Sequence, residues 1–208
     1  MTASAPLDFI HEFVPGRSGR TLLLLHGTGG NESDLLPLGA ALDPEAALLS
    51  PRGNVLENKM PRFFRRLAEG VFDEEDLVRR THELARFIEQ AAAHYGFDQR
   101  KLLAMGYSNG ANIAGALLLL RPGVVGGAAL LRPMVPLIPE TPPDLQGAPV
   151  LVAAGNQDPI APAENARRLV ALLRQAGADV TVSFEDAGHG LTENTVETAR
   201  RWLAEKVK

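Results

Sequence analysis

The 208-residue chain contains no cysteine. Disulfide bonds, thiolate nucleophiles and cysteine-based zinc sites are therefore excluded, and an intracellular, cytoplasmic setting is favoured. Basic residues are not in excess either, because 21 lysines and arginines stand against 25 aspartates and glutamates, a net charge of -4. Since a nucleic-acid or anionic-membrane partner usually requires a basic face, the composition argues against both.

Long hydrophobic runs and export signals are also missing. The longest apolar run, residues 111–120, falls short of the ~20 residues of a membrane span, so we expect no stable membrane insertion. The N-terminus has no charged segment followed by an apolar core, as a signal peptide would have. With 45% hydrophobic residues, the sequence predicts one globular domain over residues 1–208. The mildly apolar composition leaves a homodimer open.

Short apolar runs alternate with longer helical patterns along the chain. Several of the runs are apolar on both faces, which is typical of central strands in a parallel sheet covered by helices. The alternation predicts an open α/β sandwich, with a mostly parallel central sheet and helices on both faces. The predicted strands are 9–14, 21–25, 47–50, 102–106, 127–131, 150–154 and 180–184, and the predicted helices are 73–95, 111–120, 163–176 and 192–207.

Residues 106–110 read G-Y-S-N-G and place Ser108 where a sharp turn between a strand and a helix presents a nucleophile. The small residues on either side let the strand and the helix approach each other, while the serine itself takes a strained backbone conformation. A Gly/Ser/Asn cluster is also typical of an ordinary loop. The motif alone leaves both interpretations open.

A serine hydroxyl needs a general base, and that base needs an acid to orient it. His189 is the best base among the five histidines, because Gly188 and Gly190 allow a loop that aims the imidazole back over the sheet. The alternative for this Gly-His-Gly segment is a flexible loop.

Asp158 is the preferred acid, because it follows the strongly apolar strand predicted at 150–154. Its alternative role is that of a turn residue or helix N-cap, and Asp186 is the second candidate for the acid. The order Ser108, Asp158, His189 is the one that nucleophile-elbow hydrolases use. Each of the three follows a predicted strand, where catalytic groups gather in open α/β sheets.

The oxyanion of a tetrahedral intermediate needs hydrogen-bond donors, which typically contribute ~3–4 kcal/mol each to lowering the barrier. Asn109 follows the nucleophile at a helix N-terminus and can donate its backbone N–H. The glycine-rich loop 26–30 can supply the second donor, with Thr28 as the candidate. A phosphate cradle is the alternative, but the loop matches neither G-x-G-x-x-G nor G-K-[ST]. His26 is then a structural hydrogen-bonding residue rather than a second base.

Together these residues resemble the α/β-hydrolase superfamily, and more narrowly its phospholipase/carboxylesterase group, which includes acyl-protein thioesterases. The resemblance rests on L-H-G-T-G-G at 25–30, S-P-R-G at 50–53, G-Y-S-N-G-A-N at 106–112, G-N-Q-D-P-I at 155–160 and G-H at 188–189. The stretch 57–64 is most similar to bacterial hydroquinone-linked hydrolases. Thioesterase members usually carry glutamine after the nucleophile, so Asn109 weakens that branch of the resemblance.

The resemblance implies a three-layer α/β-hydrolase fold without a large cap domain. It assigns the nucleophile to Ser108, the base to His189, its partner to Asp158, and the oxyanion donors to Thr28 and Asn109. The implied activity is that of a serine carboxylesterase that cleaves a small-molecule ester through an acyl-enzyme, with no metal and no organic cofactor. Thioester or phospholipid cleavage is an alternative, and so is a ligand-binding protein with little turnover.

The short chain has no obvious helical cap insertion, which predicts an open, shallow pocket for small or single-chain acyl esters. The candidate wall residues lie beside the catalytic loops, although ordinary core packing is the alternative for each of them. They are Phe63, Phe64, Met134, Val135, Ile160 and Leu191.

Overall fold

The structure is a computed structural model that describes residues 7–206 as a central sheet between two layers of helices. The strands are β1 (His11–Val14), β2 (Thr21–Leu25), β3 (Ala47–Pro51), β4 (Val55–Glu57), β5 (Met60–Arg62), β6 (Arg66–Ala68), β7 (Val71–Phe72), β8 (Leu102–Tyr107), β9 (Gly127–Leu131), β10 (Pro149–Gly155) and β11 (Asp179–Glu185). The α-helices are α1 (Leu36–Leu42), α2 (Glu74–Tyr95), α3 (Asn109–Leu120), α4 (Ala163–Gln175) and α5 (Glu193–Lys206).

Seven of these strands form one sheet in the order β1-β3-β2-β8-β9-β10-β11. Strand β1 is antiparallel to β3, and all the other neighbouring pairs are parallel. The parallel strands therefore all end at one edge of the sheet, and the loops that follow them meet there. This edge carries the candidate active site.

The central strands are apolar on both faces because helices cover both faces. Leu23 and Leu25 of β2 lie in one cluster with residues of α2, α3 and α4, while Leu22 and Leu24 lie in a second cluster with residues of α1 and α5. Successive side chains of a strand point to opposite faces, so a run of leucines packs into both layers at once. The predicted three-layer α/β sandwich is confirmed.

The predicted strands correspond to β1–β3 and β8–β11, and the predicted helices to α2–α5, with ends that shift by one or two residues. Residue 207 of the last predicted helix lies outside the described range. Helix α1 was not predicted, and neither were the β4–β5 and β6–β7 hairpins. These strands have only two or three residues each, too few to establish an alternating pattern.

The hairpins lie between β3 and α2 and form one rim of the pocket described below. Each of their strands has only two or three residues, so the hairpins are too short to make a cap domain. In the same range, no helix combines the length and the apolar character needed to cross a membrane.

Candidate active site

Ser108 occupies a strained turn between β8 and α3, with φ 53° and ψ -112°. Flanking glycines make the turn possible. A Cβ on Gly106 would lie 2.3 Å from the carbonyl oxygen of Gly110, and a Cβ on Gly110 would lie 1.9 Å from the carbonyl oxygen of Leu25. Because both distances are far below van der Waals contact, only glycine fits at these positions. The structure thus contains the strand–turn–helix context that the sequence motif requires.

An unbroken chain of hydrogen bonds joins Ser108, His189 and Asp158. The Oγ of Ser108 lies 2.8 Å from His189 Nε2, and His189 Nδ1 lies 2.7 Å from Asp158 Oδ2. Since an ionised carboxylate only accepts hydrogen bonds, Nδ1 carries the proton in the neutral ring. Nε2 is then the acceptor for the serine hydroxyl, which is the arrangement that general-base activation needs.

Asp158 is also a turn residue, which is the alternative role that the sequence offered for it. Its Oδ1 accepts hydrogen bonds from the backbone N–H groups of Ile160 and Ala161, both at 2.9 Å. The side chain is completely buried, so these donors hold the carboxylate in place while Oδ2 faces His189. The second candidate, Asp186, instead accepts a hydrogen bond from Asn156 at 2.8 Å. The two roles of Asp158 therefore coexist.

The backbone N–H groups of Thr28 and Asn109 have no hydrogen-bond acceptor within residues 7–206. Both residues line the same pocket as Ser108. Thr28 follows β2, which pairs with β8, so the glycine-rich loop and the nucleophile turn lie side by side. Unpaired backbone donors beside the Ser108 hydroxyl are the kind of group that can stabilise an oxyanion.

Residues at the end of β5 connect the two donor loops. Arg62 Nη1 donates to Thr28 Oγ1 at 2.7 Å, and the backbone N–H of Phe63 donates to Asn109 Oδ1 at 2.8 Å. The Arg62 side chain is only 3% exposed, and burial lowers its pKa. The Asn109 side chain is thus a structural link to the hairpin, while its backbone N–H stays free for a ligand.

His26 makes the structural hydrogen bonds predicted for it. Its Nε2 accepts from the backbone N–H of Gly53 at 3.0 Å, and its Nδ1–H donates to the carbonyl oxygen of Gly27 at 2.7 Å. Burial lowers the pKa of the imidazole, which keeps the ring neutral. Both nitrogens are occupied, so His26 is not positioned as a second base.

The pocket beside Ser108 has a volume of about 370 Å³. Its walls include the predicted residues Met134 and Ile160, whereas Leu191 lines a neighbouring depression that also contains His26 and Thr28. A volume of this size falls within the range of small-molecule sites.

Three of the predicted wall residues are wrong. Phe63 and Phe64 are only 2% and 0% exposed, and their rings pack on His26 and Phe72 inside the protein. Val135 is partly buried against the core, and its backbone N–H donates to Asn165 Oδ1 at 2.6 Å. All three lie beside the catalytic loops as predicted, but the rings of Phe63 and Phe64 point inward, because burying an aromatic ring is strongly favourable.

Sequence reasoning missed other pocket residues. The wall also contains Tyr107, Asn112, Arg62, Arg66, Phe72 and Arg132. Tyr107 and Asn112 belong to the motif around Ser108, so their proximity could have been inferred. Arg62 lies in the stretch 57–64 that carries part of the family resemblance, but neither hairpin arginine could be given a place in the wall, because the hairpins themselves were not predicted.

A family model described as the dienelactone hydrolase family matches residues 57–206, more than half of the chain. This chain is a member of the dienelactone hydrolase family. The match covers the segments that carry Ser108, Asp158 and His189, and it confirms the resemblance to α/β-hydrolases.

The hydrolase is also similar to individual members over nearly its whole length. It is 51% identical to the Bacillus subtilis (strain 168) protein named as hydrolase MhqD, over 95% of this chain and 98% of the relative. A carboxylesterase structure from Bacillus cereus has 51% identity and a TM-score of 0.93, covering 96% and 95% of the two chains. A carboxylesterase from Mesorhizobium loti follows with 34% identity, a TM-score of 0.91 and 97% coverage of each chain. Relatives of this hydrolase thus include structures that are named carboxylesterases.

Glu185, at the end of β11, makes an acid-sensitive contribution to the stability of the hydrolase. Although desolvation opposes its charged form, hydrogen bonds from neighbours including Thr195, Asn194 and Arg132 lower its pKa from 4.5 to about 2. Because the pKa is lowered in the folded state, the stabilisation is fully present above pH 4.5 and is lost as the pH falls towards 2.

We expect Glu185→Gln to destabilise the hydrolase at neutral pH by about 3 kcal/mol, since each unit of pKa difference corresponds to about 1.4 kcal/mol. The deficit should shrink as the pH falls from 4.5 towards 2, where wild-type Glu185 itself becomes protonated. Urea unfolding across this pH range measures the effect. Glu164→Gln, which changes an exposed carboxylate, is the control and should show a small difference at every pH. A deficit for Glu185→Gln that does not vary with pH would contradict the prediction.

Proposed function

We propose that the protein is a serine carboxylesterase that hydrolyses small or single-chain acyl esters through an acyl-enzyme intermediate. The observation that carries this proposal is the hydrogen-bonded chain from Ser108 Oγ through His189 to the buried Asp158. A binding protein would have no need for a nucleophile, a base and an orienting acid in one line beside a pocket.

In the first half of the proposed reaction, His189 Nε2 takes the proton of Ser108 as Oγ attacks the carbonyl carbon of the ester. The resulting oxyanion is held by the backbone N–H groups of Thr28 and Asn109. Asp158 keeps the imidazole oriented and stabilises its positive charge. The tetrahedral intermediate then collapses, and Nε2 gives its proton to the leaving alcohol, so that the acyl group remains on Ser108.

In the second half, Nε2 removes a proton from water, which attacks the acyl carbon on Ser108. The same backbone donors hold the second oxyanion. When this intermediate collapses, Nε2 returns the proton to Oγ, and the carboxylic acid is released. No metal or organic cofactor takes part in this cycle, since the nucleophile, base and donors all belong to the chain.

Thioesters and phospholipids are the second candidate substrates, because they are cleaved by the same chemistry. The carboxylesterase relatives and Asn109, which stands where thioesterases usually carry glutamine, favour oxygen esters. Matched oxygen and thioester substrates with one acyl group, compared by kcat/KM, decide between them. A clear preference for the thioester would replace the carboxylesterase assignment.

A fluorophosphonate probe tests the proposed function directly. It reacts with activated serines, so it should modify the wild-type protein at one position, and mass spectrometry should locate the adduct on Ser108. Hydrolysis of p-nitrophenyl acetate should proceed in parallel and stop on labelling. A wild-type protein that neither reacts with the probe nor turns over any ester of the panel would support the ligand-binding alternative.

Acyl-chain preference follows from the shape and chemistry of the pocket. Its wall mixes the charged side chains Arg62 and Arg66 with the apolar Met134 and Ile160, and it holds about 370 Å³. A long alkyl chain would leave part of its apolar surface in water or against the arginines. We therefore expect kcat/KM to fall steadily from p-nitrophenyl acetate to the decanoate. A clear preference for long chains would overturn this expectation.

A cytoplasmic location and a homodimer stay predictions. Gel filtration with light scattering tests the homodimer, and cell fractionation tests the location.

A further inference from the structure

Arg132 follows β9 directly and lies beside the nucleophile turn. Its backbone has φ 55°, in the left-handed region that non-glycine residues rarely adopt. Backbone hydrogen bonds link the end of β9 to both neighbouring strands. The Arg132 N–H donates to the Ala153 carbonyl of β10 at 2.7 Å, and the Leu131 carbonyl accepts from the Ser108 N–H after β8 at 2.9 Å. Strain of this kind persists only where the surrounding structure holds it, and it clusters at functional sites.

The guanidinium of Arg132 holds the backbone on both sides of His189. Its Nε donates to the carbonyl oxygen of Gly188 and its Nη2 to that of Gly190, each at 3.0 Å. The carbonyl oxygen of His189 itself accepts from the Tyr107 hydroxyl at 3.1 Å. Three consecutive carbonyls of the histidine loop are thus each held by a side chain from the ends of β8 and β9.

The space beside Gly188 and Gly190 is open on the side where a side chain would project. A Cβ on Gly188 would find its nearest neighbour at 3.9 Å, and a Cβ on Gly190 would find none within 4 Å. Glycine also permits the widest range of backbone conformations. Side-chain packing at the two glycines therefore adds little to holding the loop. The hydrogen bonds to the carbonyls on both sides of His189 act together with the bond from His189 Nδ1 to Asp158 in placing the ring.

The carboxylate of Glu185 holds the Arg132 guanidinium in place. Arg132 Nη2 lies 2.5 Å from Glu185 Oε1, and the Arg132 side chain is completely buried. Glu185 in turn accepts from the hydroxyls of Thr192, at 2.8 Å, and Thr195. Thr192 lies between the histidine loop and α5, and Thr195 lies in the first turn of α5. Because Glu185 precedes the histidine loop, these hydrogen bonds link the chain before the loop to the chain after it. Within residues 7–206, only Nη1 of the guanidinium has no partner.

We propose that Arg132 is a positioning residue that holds His189 in line with Ser108 and Asp158. This proposal rests on the proposed function and deepens it, because it assigns the alignment of the general base to a residue outside the triad. Small displacements of a catalytic group are costly, since proton transfer requires hydrogen-bond geometry in the transition state. The hydrogen bonds of Arg132 to the histidine loop should therefore affect turnover rather than substrate affinity.

Two variants of Arg132 test the proposal, with kcat and KM measured on p-nitrophenyl acetate. Arg132→Met keeps the length of the side chain but removes every donor, and we expect kcat to fall by about 100-fold, the typical effect of an ångström-scale misplacement. KM should change little. Arg132→Lys keeps the charge opposite Glu185 but loses the planar fork, so it should give an intermediate kcat. Active sites are titrated with the fluorophosphonate probe, so that kcat refers to competent protein.

Arg20→Met is the matched control, because Arg20 forms a partly buried ion pair with Asp43 outside the pocket. It should lower Tm without changing kcat per titrated site. The proposal would be overturned if folded Arg132→Lys and Arg132→Met both had the wild-type kcat per titrated site. It would also be overturned if the variants only contained fewer competent sites, with each of those sites working at the wild-type rate. If Arg132→Met does not fold, Arg132→Lys alone decides by the same criterion. Failure of the wild type to hydrolyse or react would instead refute the proposed function.

Discussion

Replacement of Ser108 by alanine is expected to lower kcat for p-nitrophenyl acetate by roughly 10⁶-fold, the loss that follows removal of the nucleophile from a serine hydrolase triad. The alanine has no oxygen to attack the ester, so no acyl-enzyme can form. Labelling by the fluorophosphonate probe should disappear with the activity. The fold should persist, because the change removes one partly accessible oxygen whose hydrogen-bond partner is His189 Nε2. Circular dichroism and Tm measure the fold separately from turnover.

Ser183→Ala is the control for this experiment. Ser183 lies in the middle of β11, in register with Ala153 of β10 and away from the edge where the parallel strands end. It should keep the wild-type rate and labelling. If Ser108→Ala retained more than trace hydrolysis, or were labelled as well as the wild type, Ser108 would not be the nucleophile. The carboxylesterase mechanism proposed above would then have to be abandoned.

Replacement of Gly110 by alanine is expected to have the largest effect on stability. Its Cβ would lie 1.9 Å from the oxygen and 2.4 Å from the carbon of the Leu25 carbonyl, at the end of β2. Because these are backbone atoms, the contact can be relieved only by moving β2 or α3. We expect a loss of about 3 kcal/mol or more, at the upper end of the cost of overpacking. For a domain of this size the loss lowers Tm by about 6–12 °C.

The same helix supplies the control. A Cβ on Gly115 of α3 would meet its nearest neighbour, a Pro136 side-chain carbon, at 3.5 Å, which is ordinary van der Waals contact. Gly115→Ala should therefore stabilise the protein by about 0.5–1 kcal/mol, because alanine favours the helix over the unfolded chain. Thermal unfolding of both variants measures the contrast. Equal Tm values for the two variants would show that the close approach of α3 to β2 does not limit stability.

The triad could be predicted because each of its members follows an element that the sequence defines well. Ser108 follows a buried strand and stands between glycines, and Asp158 follows a strand that is apolar on both faces. Parallel strands end at one edge of the sheet, so residues 50 positions apart in the chain meet there without any further information. Chain order and local pattern were sufficient for this part of the site.

The pocket wall could not be predicted in the same way. Phe63 and Phe64 are adjacent in sequence to Arg62, yet the rings point into the core while Arg62 lines the pocket. The direction of each side chain depends on the path of the β4–β5 hairpin, whose strands are too short to produce an alternating pattern. The walls therefore differ from the prediction, even though Ser108, His189 and Asp158 beside them form the hydrogen-bonded chain that the sequence predicts.

The amino-acid pattern was enough to specify an α/β sandwich, the nucleophile turn, and the order of the serine, the acid and the base, since these depend on local periodicity and on glycines at fixed spacing. Only the tertiary structure revealed which side chains hold that machinery together. Arg132 reaches the carbonyls of Gly188 and Gly190 from a different strand, more than 50 residues away. A contact of this kind depends on the three-dimensional path of the chain and on the burial of one guanidinium. Neither of these produces a periodic pattern of residues that the sequence would show.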